Sequence, residues 1–296
     1  MAQSDSSPSA STQKEFHIFG WGISFSISPI IHNAAFKHFH LPYTYDIRES
    51  SVIDGVEHLI KAENFGGASV TMPHKLEIHK FLQDQTESAK LIGAINTVIV
   101  KGSGKDRILV GENTDCSGLQ SLIKSYVDKT QHQPKTGLVI GAGGASRAAV
   151  YALHKQGVEK IYLANRTLAN AEQVKVGFRS LFEVEVLPLE SLEKLPNLPD
   201  IIIGTVPANV TVEEQFSSIF SSTGGLCIEM AYKPRQTPLL NMARKNEGWH
   251  TVTGLEVLLA QAFDQFHLWT GLEAPQKEMT EAVVAHETKQ EAKTVL

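Results

Sequence analysis

Four short stretches carry residue types able to do chemistry. Residues 67–75, GASVTMPHK, run as an apolar strand and stop at Pro73, His74 and Lys75. IGAINTVIV holds Asn96 and Thr97, ILVGENTDCSG holds Asn113, Thr114 and Asp115, and GAGGASR, residues 141–147, is rich in glycine. The first three put a lysine, an aspartate and several neutral hydrogen-bonding groups at strand ends, where open α/β sheets hold their ligands. Such a set suits hydride transfer on a polyhydroxylated substrate. Oxidising an alcohol removes its proton as hydride leaves, and the reverse reaction needs a proton donor at the carbonyl. A lysine beside an aspartate serves both directions. Burial favours the neutral amine and the carboxylate favours the ammonium, so the two effects oppose each other. An ordinary salt bridge is the commoner use of such a pair. No His or Cys spacing matches a zinc pattern, so no metal is expected.

The glycine-rich stretch follows an apolar strand, GLVI, and opens a helix, the context in which it binds a nucleotide. Gly141 permits the tight turn and Gly143 lets backbone approach a pyrophosphate, while the third position of the pattern is Ser146. The free N–H groups of the helix start then hold the anion. An NAD site places Asp or Glu about 20 residues beyond the first glycine. That place reads Ala164, Asn165, Arg166, Thr167. An acid is absent and a guanidinium is present, whose planar fork suits a 2′-phosphate. NADP is expected rather than NAD, with NAD still possible, because Asn170 stands where a second cation could have reinforced the phosphate site.

These residues need elements to position them. EFHIFG, YTYDIRE and GGASVTM read as strands, SPIIHNAAFKHF and VIDGVEHLIKAE as helices between them, and the alternation predicts a mostly parallel sheet covered by helices. After GENTD, SGLQSLIKSYV reads as a helix. KIYLANR, VEVLPLE, DIIIGTV and GLCIEM are short β-branched strands of a doubly wound second domain. GLEVLLAQAFDQFHLWTG is a strongly apolar helix ending at Gly271, and KEMTEAVVAHETKQEA follows Pro275 as another.

The totals fit this picture. A chain of 296 residues divides naturally into two domains, which implies a cleft. A formal net charge of −5 gives no sign of a nucleic-acid surface, and no apolar run approaches the length of a membrane span. The partner expected is a small molecule, with no nucleic acid, membrane or metal. Cys116 and Cys227 are the only cysteines, which excludes a disulfide framework and favours a reducing compartment. MAQSDSSPSASTQK is polar and serine-rich, a disordered tail over residues 1–15 and not a targeting signal, and the expected location is cytoplasmic.

SFSISPIIHN, GGASVTMPHK, IGAINTV, GENTD, IGAGGASRAA, NRT, AYKPRQTPLL and GLEVLLAQ occur in the order seen in shikimate and quinate dehydrogenases. From Phe16 to about Thr270 the chain resembles that family, in particular the dehydrogenase segment of the fungal multifunctional aromatic-pathway enzyme and its quinate-pathway relatives. The resemblance implies an oxidoreductase of the shikimate pathway. It would reduce 3-dehydroshikimate to shikimate, or oxidise quinate to 3-dehydroquinate, with a nicotinamide cofactor. It makes Lys75 and Asp115 the catalytic pair and Ser26 and Ser28 the holders of the substrate carboxylate. Thr71, Asn96, Tyr232 and Gln261 contact the carboxylate or the ring hydroxyls. Gly141, Gly143, Gly144, Ala145, Ser146, Asn165, Arg166, Thr167 and Thr205 bind the cofactor, with Gly254 near the nicotinamide. It also returns the last long helix to the first domain. The substrate domain is then 16–117 completed by 256–290, and the Rossmann-like NADP domain is 118–255.

Each contact has a plainer alternative: Ser26 and Ser28 as helix caps before Pro29, Tyr232 as core, Gln261 as an exposed helix residue. Ser24, Phe25, Ser69 and Val257 depart from residues common in the family, and they bear on specificity. The leading expectation is an NADP-dependent shikimate dehydrogenase. Its rivals are a quinate dehydrogenase, which Phe25 beside the serine pair would favour, and a non-catalytic pathway sensor, which has no use for a lysine–aspartate pair.

Overall fold

The structure, a computed structural model, describes residues 13–294. Most of the tail expected over residues 1–15 lies outside them, and its last two residues, Lys14 and Glu15, already belong to the first strand.

The first sheet is built from β1 (Lys14–Gly20), β2 (Tyr43–Glu49), β3 (Phe65–Val70), β4 (Asp84–Gln85), β5 (Thr97–Lys101) and β6 (Ile108–Glu112), in the order β2-β1-β3-β5-β6-β4. Between these strands lie α1 (Ser28–His38), α2 (Glu57–Ile60) and α3 (Glu87–Ile92). β1 pairs in parallel with β2 and β3, and β4 with β6, whereas β5 runs against both β3 and β6. The connection from β5 to β6, residues 102–107, is too short for a parallel crossover, so the pair must form a hairpin. The reversal brings the start of β5 to the carboxyl edge of the sheet. Thr97 is therefore flanked by Ser69 of β3 and Glu112 of β6. The helix expected over VIDGVEHLIKAE is shorter, a 3-10 turn at Ile53–Val56 running into α2. Val52 at its N-cap has no oxygen to satisfy the first N–H groups, and Gly55 weakens the turn.

The second sheet is wholly parallel. Its strands are β7 (Thr136–Ile140), β8 (Lys160–Asn165), β9 (Glu185–Pro188), β10 (Ile201–Gly204), β11 (Gly225–Glu229) and β12 (Trp249–Val252), in the order β12-β11-β10-β7-β8-β9. Four helices, α4 (Thr114–Thr130), α5 (Gly144–Lys155), α6 (Leu168–Phe178) and α7 (Pro238–Lys245), accompany it. Leu138, Val139, Ile140 and Ile201 to Ile203 are wholly buried, as strands covered on both faces require. This is the Rossmann order, which reverses between β7 and β10 and leaves a crevice at their carboxyl ends.

Helix α8 (Gly254–Thr270) crosses back to the first sheet. A capping box of Thr253 and Glu256 starts it, and Gly271 at φ 72° ends it. Phe266 and Trp269 pack with Phe16, Ile31 and Phe36, and Trp269 Nε1 donates to Val98 O at 3.0 Å. Gly67 makes room for that ring, since a Cβ there would fall 2.6 Å from Trp269 Nε1. Helix α9 (Gln276–Thr294) continues onto α1 through Met279 and Val283. Among the described residues no helix is long and apolar enough to cross a membrane.

Candidate active site

Lys75 lies in a 3-10 turn, His74–Leu76, just beyond β3, and its backbone O accepts from Ile95 N at 2.8 Å. Its ammonium forms an ion pair with Asp115 Oδ2, and the two side chains are only 14% and 8% exposed. Asp115 is not at a strand end, as its motif suggested, but in the first turn of α4. Asn113 is the N-cap, its side chain accepting from Cys116 N at 3.1 Å. A carboxylate there also gains from the helix dipole.

Asn96 joins the pieces. Its Nδ2 donates to Asp115 Oδ1 at 3.0 Å and to Thr114 Oγ1 at 2.9 Å, with Gln261 Oε1 more distant at 3.3 Å. Its Oδ1 accepts from Thr114 N at 2.7 Å and Thr97 Oγ1 at 2.8 Å. An amide has two hydrogens to give, so Gln261 Oε1 keeps acceptor capacity for something else. Gln261 is not the exposed helix residue its plainer reading allowed: it is 6% exposed on α8.

A second polar group lies at the start of α1. The N-cap is Ile27, which offers no side-chain bond, and Ser28 is the first helical residue. Ser26 Oγ accepts a long bond from Ser28 N, 3.3 Å, and donates to Ser28 Oγ at 3.2 Å. The hydroxyls also face tyrosines, Ser26 towards Tyr232 and Ser28 towards Tyr45. Burial pushes both phenols above their ordinary pKa, so they stay protonated donors. Hydroxyls at a helix N-terminus form a site suited to a carboxylate. Thr71, half-buried between the two groups in sequence, donates its N–H to Phe19 O at 2.8 Å.

The two groups are one network. Tyr45 donates to Ser69 Oγ at 2.6 Å and Ser69 to Gln265 Oε1 at 3.0 Å. Gln265 Nε2 donates to Thr97 Oγ1 at 2.9 Å, and Thr97 leads to Asn96 and so to Asp115. His32 Nε2 donates to Gln265 at 3.2 Å. The ring is fully buried, and burial drives its pKa down to about 3, leaving it neutral.

The glycine turn lies against this network. Gly141 has φ 114°, and a Cβ on it would sit 2.3 Å from Thr205 Oγ1, so the turn closes at the point where the strand order reverses. The Thr205 hydroxyl donates to Ile140 O at 2.8 Å and holds that junction. Gly143 is exposed, and a Cβ there would meet nothing, so an anion has room above the start of α5. Gly144, Ala145 and Ser146 form the first turn. Ser146 is buried and donates to Gly143 O at 2.7 Å, so its hydroxyl serves the turn itself. A Cβ on Gly144 would lie 3.0 Å from Lys75 Cβ, so the head of α5 touches the stem of the lysine. At the end of β8, Asn165 Nδ2 donates to Thr167 O at 2.8 Å. Arg166 and Thr167 are exposed, with no ion pair to Arg166 among the described residues. The donors and the open space fit a dinucleotide with a phosphorylated ribose. Gly254 lets α8 start against Ala231 and Tyr232, since a Cβ there would fall 2.4 Å from Ala231 O.

Three family models match the chain in succession: "Shikimate dehydrogenase substrate binding domain" over residues 18–98, "Shikimate / quinate 5-dehydrogenase" over 121–223 and "Shikimate 5'-dehydrogenase C-terminal domain" over 254–284. The solved shikimate dehydrogenase of Aquifex aeolicus is 30% identical, with 92% of this chain and 97% of that one covered and a TM-score of 0.77. The chain belongs to the shikimate dehydrogenase family. The Thermus thermophilus enzyme, solved with NADP(H) and shikimate, is 27% identical with a TM-score of 0.72, covering 91% of this chain and 98% of that one. The pentafunctional AROM polypeptide of Schizosaccharomyces pombe is 38% identical over 271 residues, 88% of this chain but only 17% of that polypeptide's length.

Within this family member, sequence reasoning singled out Thr97 with Asn96 but missed Tyr45 and Gln265 as parts of the network. Gln265 had a signal, since it stands four residues after Gln261 on the same helix face. Ser69 joins Tyr45 to Gln265, and Val257 is core packed with Ala94 and Cys116, while Ser24 and Phe25 are exposed before the serine pair. Burial pushes the Cys116 thiol up to about 12 and the Cys227 thiol well above its ordinary value, so neither is poised as a nucleophile. Among the described residues no cluster of His, Cys, Asp or Glu could hold a metal ion.

Asn96→Leu would leave Asp115 Oδ1 and Thr114 N short of buried partners. A loss of about 2–3 kcal/mol is expected from urea unfolding at pH 7, and a loss below about 0.5 kcal/mol would mean that the network does not depend on Asn96.

Proposed function

We propose that this chain interconverts shikimate and 3-dehydroshikimate with NADP(H), in a cleft between a substrate unit, residues 16–117 completed by 256–290, and a cofactor unit, residues 118–255. The observation that carries the reading is the contact of Gly144, at the head of the nucleotide helix, with Lys75, which is paired with Asp115. It supports a cofactor bound beside the proposed proton-transfer pair. The hydroxyls of Ser26, Ser28 and Tyr232 would hold the substrate carboxylate. Thr71, Asn96 and Gln261, the last with acceptor capacity to spare, would bind the ring hydroxyls. This sets the hydroxyl to be oxidised at Lys75 Nζ, where the amine takes its proton; in reduction the ammonium returns a proton to the carbonyl oxygen. Asp115 orients the lysine and stabilises its charged form.

NADP(H), when bound, supplies the hydride acceptor or donor. Gly141, Gly143, Gly144, Ala145 and Ser146 would cradle its pyrophosphate, Asn165, Arg166 and Thr167 would hold the ribose end, and Thr205 and Gly254 would flank the nicotinamide. The Thermus relative solved with NADP(H) and shikimate supports this reading. Both cysteines are free and buried, which suits a reducing, cytoplasmic setting.

A second reading, quinate as substrate, rests on Phe25, whose exposed ring stands 5.8 Å from that of Tyr232 beside the serine pair. Initial rates with shikimate or quinate, each with NADP⁺ or NAD⁺, test both. Turnover greatest with shikimate and NADP⁺ is expected. Preference for quinate would move the substrate assignment, and no turnover with measurable binding would indicate a sensor. Arg166→Ala is expected to raise KM for NADP⁺ roughly tenfold or more and leave that for NAD⁺ within about twofold. Equal losses for both would remove the guanidinium from the 2′-phosphate.

A further inference from the structure

Glu229, the last residue of β11, is a carboxylate only 3% exposed that the proposed chemistry does not use. It accepts from Ala231 N at 3.0 Å, and the hydroxyl of Thr237 faces it. Thr237 is wholly buried at the N-cap of α7, where its oxygen accepts from Leu240 N at 3.2 Å and its proton remains for Glu229. A Cβ on Gly204 of β10 would lie 3.0 Å from both carboxylate oxygens, so the neighbouring strand leaves just enough room for the group. Ala231 and Thr237 are the two feet of one segment, and three residues between them reach the first unit. Tyr232 faces Ser26, Lys233 lies over the Phe25 ring at 4.6 Å, and Arg235 pairs with Glu287 of α9.

We propose that Glu229 is a positioning residue that clasps both feet of the segment 231–237 and thereby holds Tyr232 at the serine pair. The proposal rests on the shikimate reading of that site. Ala231 N–H and the Thr237 hydroxyl face the carboxyl, with Met230 N–H, which donates to Gly204 O, beside them, and only the ionised form meets these donors without bringing a proton of its own. Burial pushes its pKa up to about 7. The charged groups nearby do not offset this. Arg244 of α7 bears on Cys227, two residues back on β11, whose own thiol burial keeps protonated. Lys233 and Arg235 of the segment are turned to Phe25 and Glu287, and β10 presents Gly204. The folded pKa lies above the unfolded value of 4.5, so the bound proton contributes stability that is complete below pH 4.5 and lost as pH rises through about 7. The ionised clasp therefore costs stability, which leaves function as the reason for a carboxylate here. KM for the carboxylate substrate should fall as pH rises through about 7.

The test is Glu229→Gln in the full chain, whose amide sets a donor against a donor. At saturating NADP⁺, KM for shikimate at pH 8 should rise about tenfold with kcat within about twofold, and the step in KM near pH 7 should vanish. The amide exchange of residues 231–237, corrected for its intrinsic pH dependence, should slow above pH 7 in the wild type only. Thr237→Val removes the other foot and should raise KM similarly, which keeps the test decisive if Glu229→Gln does not fold. Wild-type KM and exchange in the variants, with the pH step retained, would overturn the clasp. If the wild type turns over no shikimate, the functional reading fails, and the exchange measurement still decides the clasp.

Discussion

A lysine and an aspartate, both nearly out of water, form an ion pair that the rest of the architecture has to support. Removing two charges from solvent is costly unless geometry and further hydrogen bonds compensate. Here Asp115 Oδ2 takes Lys75 and Oδ1 takes Asn96, while the helix N-terminus beneath adds its own partial charge. Asn96 in turn needs the reversed strand β5, whose start lies between the ends of β3 and β6. The mixed pairing of the first sheet is thus part of how the pair is held.

The network extends from the pair through Thr97, Gln265, Ser69 and Tyr45 to Ser28. Buried polar chains of this kind fix geometry when every member is satisfied. The second unit approaches from the other side. Its glycine turn meets Lys75 directly, and the segment rooted at Glu229 carries Tyr232 to Ser26. A substrate held between Ser26 and Lys75 would touch both units, which is why neither would serve alone as the proposed enzyme.

Much of this was legible in the sequence because it is local. Strand–turn–helix patterns placed β7, α5 and β8, and the ordered motifs singled out Lys75, Asp115, Ser26, Ser28 and Gln261. Other features were not, among them α3, α6 and α7. Asp115 reads as following a strand because the polar run GENTD hides a helix start, although Asn113 is an ordinary N-cap. Strand β12, four residues with one buried, is too short and too exposed to show a period. Tyr45 acts through Ser69, a tertiary neighbour distant in sequence that no spacing rule reports, and Glu229 reads as one more residue of a short buried strand until the fold turns the chain back over it.

On the proposed chemistry Lys75 handles the proton and does not build the cofactor site. The decisive measurement is kcat for shikimate oxidation together with the dissociation constant for NADP⁺ in Lys75→Ala, where kcat is expected to fall roughly 10²–10⁴-fold with NADP⁺ affinity within about twofold of wild type. A kcat within a fewfold of wild type would contradict that chemistry.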